Sequence, residues 1–249
     1  MDGHYPPRQT PTEVMHERAA KSHRCDETMV LTVSSAKRAP CAGPPSAAER
    51  QLSLRAHRQD YSSLQIEVRQ GDANVVVDDI LKILPKTQPV LAFLDPEGSE
   101  LDWATIEKIA RHKQGKPYKI EQFILFPSDT GIIRFFPRDA AKLVYEDKLD
   151  RMLPSAAGWR ALYKLRDQLT TAEFRRRLLN EYVSGLKALG YKHVPQPRLV
   201  CKPDGRPLYF MVFATDNEVG LKIMSAALET VEATTLQSVY ALFTRVARA

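Results

Sequence analysis

The sequence predicts an α/β domain with a mostly parallel sheet, closed at its carboxyl end by an antiparallel hairpin, and three observations carry that expectation. The run Val90-Leu91-Ala92-Phe93-Leu94 is apolar without alternation, as in a strand covered on both faces, and it stops at Asp95-Pro96. Ile120 to Phe126 repeats the pattern and is again ended by a proline, Pro127. Between Lys192 and Thr215, two extended stretches flank Asp204-Gly205, whose glycine supplies the positive φ that a hairpin turn requires.

The amino-terminal stretch comes first in order. Residues 1–46 are rich in Pro, Ser, Arg and His and show neither a helical nor a strand period. Such a composition buries too little to offset the entropy of ordering it. This segment is therefore expected to be irregular or disordered and to add no strand to the sheet. Two origins stay open: sequence foreign to the domain, such as a shifted frame, a gene remnant or a misplaced start, and a short basic arm for nucleic acid. The domain proper is expected over 47–230, followed by a tail helix over 231–249.

Ala48 to Ala56 reads as a helix. Leu64 to Arg69 alternates with period two, as a strand does, and breaks at Gly71-Asp72-Ala73-Asn74. Val75 to Leu84 follows as a helix stopped by Pro85. Together with the strand from Val90, these make a βαβ unit with a right-handed crossover, so Asp72 and Asp95 fall on one edge of the sheet. Open α/β sheets bind ligands just beyond the carboxyl ends of their strands. Asp95 is therefore the first candidate site residue, stiffened by Pro96, which bars helical geometry at the residue before it. A strand-ending turn without a ligand is the plainer reading of the same residues.

Asp102 is placed to cap an amphipathic helix that runs to His112. Trp103 is either a wall of a pocket beside Asp95 or a packing anchor, the commoner role for a Trp in a first helical turn. Ser128, Asp129 and Arg134 follow the next strand at the crevice edge, and the planar fork of Arg134 suits a phosphate or a substrate carboxylate. Thr170 or Thr171 caps a helix in which Phe174, Leu178, Leu179, Tyr182 and Leu186 recur at helical spacing. On that helix Arg175-Arg176-Arg177 are either solvated charges or a phosphate contact. Val219 to Met224 begins the last helix of the domain.

The formal net charge of +6 and pI near 9.2 favour an anionic partner mildly. No apolar run is long enough to span a bilayer, and the amino terminus lacks the order of a signal peptide, so a cytoplasmic protein is expected. Cys25, Cys41 and Cys201 offer neither a disulfide framework nor Cys-x-x-Cys zinc spacing, and His57, His112 and His193 stand apart. No metal site is expected.

Several of these stretches also form a set. Gly71-Asp72-Ala73-Asn74, Phe93-Leu94-Asp95-Pro96-x-Gly98 and Leu101-Asp102-Trp103-x-Thr105-Ile106 continue through Phe123 to Pro127, Arg134, Tyr182 and Gly190-Tyr191. With Leu208 to Thr215 and Gly220 to Met224, they resemble the three-Cys-motif partner proteins, a bacterial group, over about residues 49–226. The resemblance implies a Rossmann-like, class I S-adenosylmethionine-dependent methyltransferase fold and a phage-type partner protein bearing three cysteines. It implies methyl transfer to nucleic acid or to a partner-dependent substrate. By the same resemblance Gly71, Asp72 and Ala73 bind the cofactor, with Asp72 meeting the adenine amino group. Asp95 and Pro96 face the methyl-transfer centre, and Trp103 and Arg134 contact the substrate.

Two departures matter. Glu97 stands where relatives commonly carry an aromatic, which removes a stacking surface for a flipped-out base. Ala42-Gly43-Pro44 resembles the cofactor loop, yet Pro45 replaces a permissive glycine, and from there to Gly71 the chain has room for only a helix and one strand. The amino-terminal strands are thus expected to be missing and S-adenosylmethionine to bind weakly or not at all. The alternative function is a non-catalytic module that binds nucleic acid or protein.

Overall fold

The computed structural model describes the backbone of residues 29–35 and, apart from positions 70, 97, 114, 117, 129–131 and 203, residues 69–230. In chain order the elements are β1 (Met29–Ser35), α1 (Ala73–Ile83), β2 (Val90–Pro96), α2 (Trp103–Arg111) and β3 (Glu121–Pro127). Then come α3 (Glu146–Met152), α4 (Ala156–Tyr163), α5 (Thr171–Ala188), β4 (Arg198–Cys201), β5 (Pro207–Ala214) and α6 (Glu218–Thr230). Two short 3-10 turns, Ile133–Phe135 and Ala140–Lys142, lie between β3 and α3.

The described strands form one mixed sheet in the order β1-β2-β3-β5-β4. β1, β2 and β3 are parallel, and β5 is antiparallel to both β3 and β4. Alternate residues of each central strand feed opposite cores. Val90, Ala92 and Leu94 of β2, with Ile124 and Phe126 of β3, pack under α1 to α5. Leu91 and Phe93, with Phe123, Leu125, Met211 and Phe213, form a second core with Met224, Ala227 and Leu228 of α6. A strand that must be apolar on both faces has no polar positions to alternate with, which is why β2 and β3 read as continuous runs. One polar exception, Gln122, is fully buried and donates from its amide to Ile106 O (3.1 Å) and Tyr191 Oη (2.7 Å).

One expectation is corrected here. Residues 1–46 were expected to add no strand, yet Met29–Ser35 pairs with β2 along its whole length, from Met29 beside Val90 to Ser35 beside Pro96. The seven-residue strand includes the β-branched Val30, Thr32 and Val33. Its pairing with a long apolar neighbour overrides the weak local signal, since strand formation depends on the partner surface more than on intrinsic preference. The expected helix at Ala48 to Ala56, the strand at Leu64 to Arg69 except for Arg69 itself, which is in no strand, and the tail helix over 231–249 lie outside the described residues.

The hairpin is present, though its first arm is interrupted. His193 and Thr215 exchange both backbone hydrogen bonds (2.9 and 3.0 Å), after which the ladder lapses until Arg198. Pro195 and Pro197 lie in the gap and have no N–H to donate. At the turn, Gly205 has φ +80°, and the Arg206 side chain forks onto Asp204 (2.8 and 2.6 Å).

Candidate functional site

β1 and β2 end level, with Ser34 beside Asp95 and Ser35 beside Pro96, and β3 runs in the same direction to Pro127. Their carboxyl ends therefore open onto one edge. The turn before α1 is built from the sequence motif found there. Gly71 adopts φ +155°, and a Cβ at that position would stand 2.5 Å from a methyl of Val76. Asp72 is the helix N-cap: its Oδ1 accepts the Asn74 N–H (2.9 Å), and its carboxylate is exposed. Ala73 is the first residue of α1 and half-buried.

Asn74 connects this turn to the loop after β2. Its Oδ1 accepts from the Asp102 N–H (2.9 Å) and from Thr105 Oγ1 (2.8 Å), while its Nδ2 donates to Glu100 O (2.8 Å). The Gly-Asp-Ala-Asn motif and the Leu-Asp-Trp-x-Thr motif are thus one structural unit, and the amino ends of α1 and α2 meet beside the end of β2. Asp102 occupies the N-cap position as expected, but its side chain makes no capping bond. The Asn74 amide already takes its backbone N–H, and its carboxylate lies 3.7 Å from Arg151 of α3.

Beyond β2 and β3 is a small pocket. Pro96, Gly98 and Leu101 line it from the β2 side, Ile124, Phe126 and Pro127 from β3, Met152 from α3 and Tyr182 from α5. Its free space is about that of a single water. The Tyr182 ring is held between Phe126 (centroids 4.7 Å apart) and Trp103 (5.1 Å, edge to face), and its hydroxyl makes no hydrogen bond among the described residues. Burial pushes this phenol far above its ordinary pKa, so it is a neutral O–H donor at physiological pH.

The structure brings some of the expected site residues together and separates others. Pro96 lines the pocket, and half-buried Asp95 precedes it in β2. Trp103 is buried, donates to Glu107 (3.2 Å) and braces Tyr182, which makes it a packing anchor one ring removed from the pocket. Arg134 is exposed, and its guanidinium lies over the Phe135 ring at 4.9 Å. Arg175 donates to Ser128 O (2.7 Å) and is half-buried, whereas Arg176 and Arg177 are solvated. Asp129 lies outside the described residues. Sequence reasoning did not single out Asn74 or the Tyr182 hydroxyl as site groups. The partners of Asn74 lie 26 to 31 residues away, and Tyr182 occupies an ordinary core position of its helix.

Among the described residues no cluster of His, Cys, Asp or Glu has the arrangement of a metal site, and no helix is long and apolar enough to cross a membrane. Comparison with protein-family models, with curated proteins and with solved structures finds no match to this chain.

Proposed function

We propose that this chain is a class I methyltransferase-type domain of the three-Cys-motif partner kind. On this reading it uses S-adenosylmethionine to methylate nucleic acid or a substrate presented by a phage-type partner in the cytoplasm. The observation that carries the reading is the strand order. A doubly wound sheet of order 3-2-1-4-5 places its first, fourth and fifth strands side by side and parallel. β1, β2 and β3 are related in that way, and the antiparallel β5 and β4 follow, as at the end of a class I methyltransferase sheet. In this alignment Ser34 and Ser35 lead into the segment holding Ala42-Gly43, and the expected second-strand position flanks β1. One ground for doubting a cofactor loop, that residues 1–46 would add no strand to the sheet, is thereby removed, while Pro45 and the short stretch from it to Gly71 still depart from the family pattern.

The described part of the site suits such a cofactor. The Asp72 carboxylate is exposed and uses one oxygen for its cap, leaving the other to accept from an adenine amino group. Gly98 is buried against the pocket, and a Cβ there would point into open space. Bound S-adenosylmethionine would supply an electrophilic methyl group. The chain's own contribution is the Asp95 carboxylate, which would accept a hydrogen bond or proton from the acceptor atom, held in place by Pro96. Asn74 fixes the loop that follows.

Calorimetric titration tests the reading. Saturable S-adenosylmethionine binding is expected, weakened about 10- to 100-fold by Asp72→Ala, the size of one charge-assisted hydrogen bond. Asp95→Asn should keep cofactor affinity and lose methyl transfer to a nucleic-acid acceptor. Absence of saturation, with salt-dependent nucleic-acid binding retained, would select the non-catalytic module instead.

A further inference from the structure

We propose that the buried guanidinium of Arg166 and the first turn of α5 form a binding site for a phosphate group, with Arg138 as its outer arm. The site is separate from the pocket beyond β2 and β3, and its chemistry does not depend on the methyltransferase reading. Buried polar groups in folded proteins almost always have hydrogen-bond partners, and buried charges are paired. Arg166 meets neither condition. It is 6% exposed and has no ion pair among the described residues, and its Nη1, sealed from solvent, has no acceptor. Its remaining contacts fix the side chain without neutralising it: Nε donates to Phe136 O (3.2 Å), Nη2 reaches Thr171 Oγ1 at 3.4 Å, and the guanidinium lies over the Phe174 ring at 4.9 Å.

Those contacts aim the cation at a helix start. Thr171 is the first residue and Phe174 the fourth of α5, a helix of 18 residues. Thr170 and Glu173 satisfy each other's N–H groups, which leaves the N–H groups of Thr171 and Ala172 without an acceptor among the described residues. Such groups attract an anion. A second arginine stands beside the first: Arg138, 51% exposed, donates to the carbonyls of Arg166, Asp167 and Leu169 at 3.2 to 3.4 Å and is 3.7 Å from the exposed Asp167 carboxylate. Burial, and then the charge of Arg138, lower the pKa of Arg166, so the two cations repel. An anion held by both removes that repulsion.

The donors define the ligand. Planar guanidinium forks suit an oxyanion, and two of them beside a helix start suit a phosphate group better than a singly charged carboxylate. The Arg138 bonds are at the long limit for N–H···O, so a phosphate draws this arm off the turn and thereby reaches Nη1. Glu173, the acid of this helix end, is already engaged with Thr170 (3.0 and 2.7 Å). α5 also touches the carboxyl edge of the sheet, where Arg175 donates to Ser128 O (2.7 Å) just past β3. That is the edge at which open α/β sheets bind their ligands.

Thermal denaturation of the full chain at pH 7 in rising inorganic phosphate, with sodium chloride holding ionic strength constant, tests the proposal. The melting temperature should rise saturably, by about 3–6 °C at ten times the apparent dissociation constant. Arg166→Met, which keeps an apolar contact with Phe174 and removes the buried charge, should lose this response. Should that variant fail to fold, Arg138→Gln, at an exposed position, should weaken the apparent affinity about 5- to 10-fold. An equal rise in chloride or acetate, or a phosphate response unchanged in the folded variants, would overturn the proposal. Calorimetry with thymidine monophosphate and with a single-stranded oligothymidylate then identifies the source: Arg166-dependent binding of the first points to a small phosphorylated ligand, and of the second alone to a nucleic-acid backbone. The two readings fail separately, since a phosphate response without S-adenosylmethionine binding removes methyl transfer and leaves this site standing.

Discussion

Asn74 shows how one side chain can turn two sequence motifs into one site. Its amide makes three hydrogen bonds across the start of two helices, and each partner is a backbone group or hydroxyl that would otherwise need water in a half-buried place. Asn74→Ala is expected to lower stability by about 1–3 kcal/mol and to speed amide exchange at Asp102, whose N–H it accepts. Asn74→Asp, which keeps the acceptor and loses the donor, should fall between the two. This residue was not legible beforehand, because the hydrogen bonds join segments distant in sequence. Asp102 was legible by type and position, yet its side-chain role was misread for the same reason. At the opposite edge of the sheet, burial raises the pKa of Glu121, and nearby Asp216 adds to the rise, while a hydrogen bond from Thr215 Oγ1 (2.8 Å) and the charge of Lys113 oppose it. A carboxyl whose pKa is higher folded than unfolded contributes fully at low pH, and that contribution is lost as pH rises through the folded value. Glu121→Gln keeps an acceptor for Thr215. Melting temperatures measured from about pH 4 to about pH 7 should therefore decline less in this variant than in the parent, with the gap opening above the ordinary glutamate pKa of about 4.3.

At the scale of elements, α5 illustrates how a helix read from periodicity gains its exact seat from one small residue. Its start was legible: Thr170 accepts from the Glu173 N–H (3.2 Å) while Glu173 accepts from the Thr170 N–H (3.0 Å), a capping box. Its apolar stripe was legible as well, since Phe174, Leu178, Leu179, Tyr182 and Leu186 are all buried. What periodicity did not give is Gly185. A Cβ there would lie 2.5 Å from Pro154 and 2.8 Å from the Trp103 ring, so α5 approaches the α3–α4 connection and the start of α2 only because the side chain is absent. An exposed helical Gly→Ala exchange usually stabilises. Here Gly185→Ala should destabilise by about 1–3 kcal/mol through overpacking, and Gly185→Leu should do so more severely. Thermal denaturation of the two variants checks the order. Tryptophan fluorescence should shift with them, because the displaced ring is one of two Trp in the chain.

For the whole molecule, the decisive element is β1, the strand that composition argued against. β2 and β3 declared themselves through apolar runs, because both faces of the sheet are covered along them, and the hairpin arms through turn chemistry. β1 is seven residues long within a polar, proline-rich stretch, and its stability is supplied by pairing with β2, which no local pattern records. Among the described residues it is the outermost strand, so alternate residues direct their N–H groups toward β2. Proline has no N–H, and a proline inside a paired strand removes a ladder bond. Of the neighbouring pair Leu31→Pro and Thr32→Pro, at least one must therefore break the ladder opposite Ala92 and Phe93. The expected loss is about 1–3 kcal/mol, a fall of roughly 2–4 °C in melting temperature per kcal/mol for a domain of this size. If a further strand pairs along the other edge of β1, both substitutions should be costly, because N–H groups facing either way would then be bonded. Unchanged melting in both variants would remove β1 from the sheet and, with it, the strand order on which the methyltransferase reading rests. Destabilisation by both, together with loss of S-adenosylmethionine binding, would place β1 inside the sheet with a cofactor loop at its end.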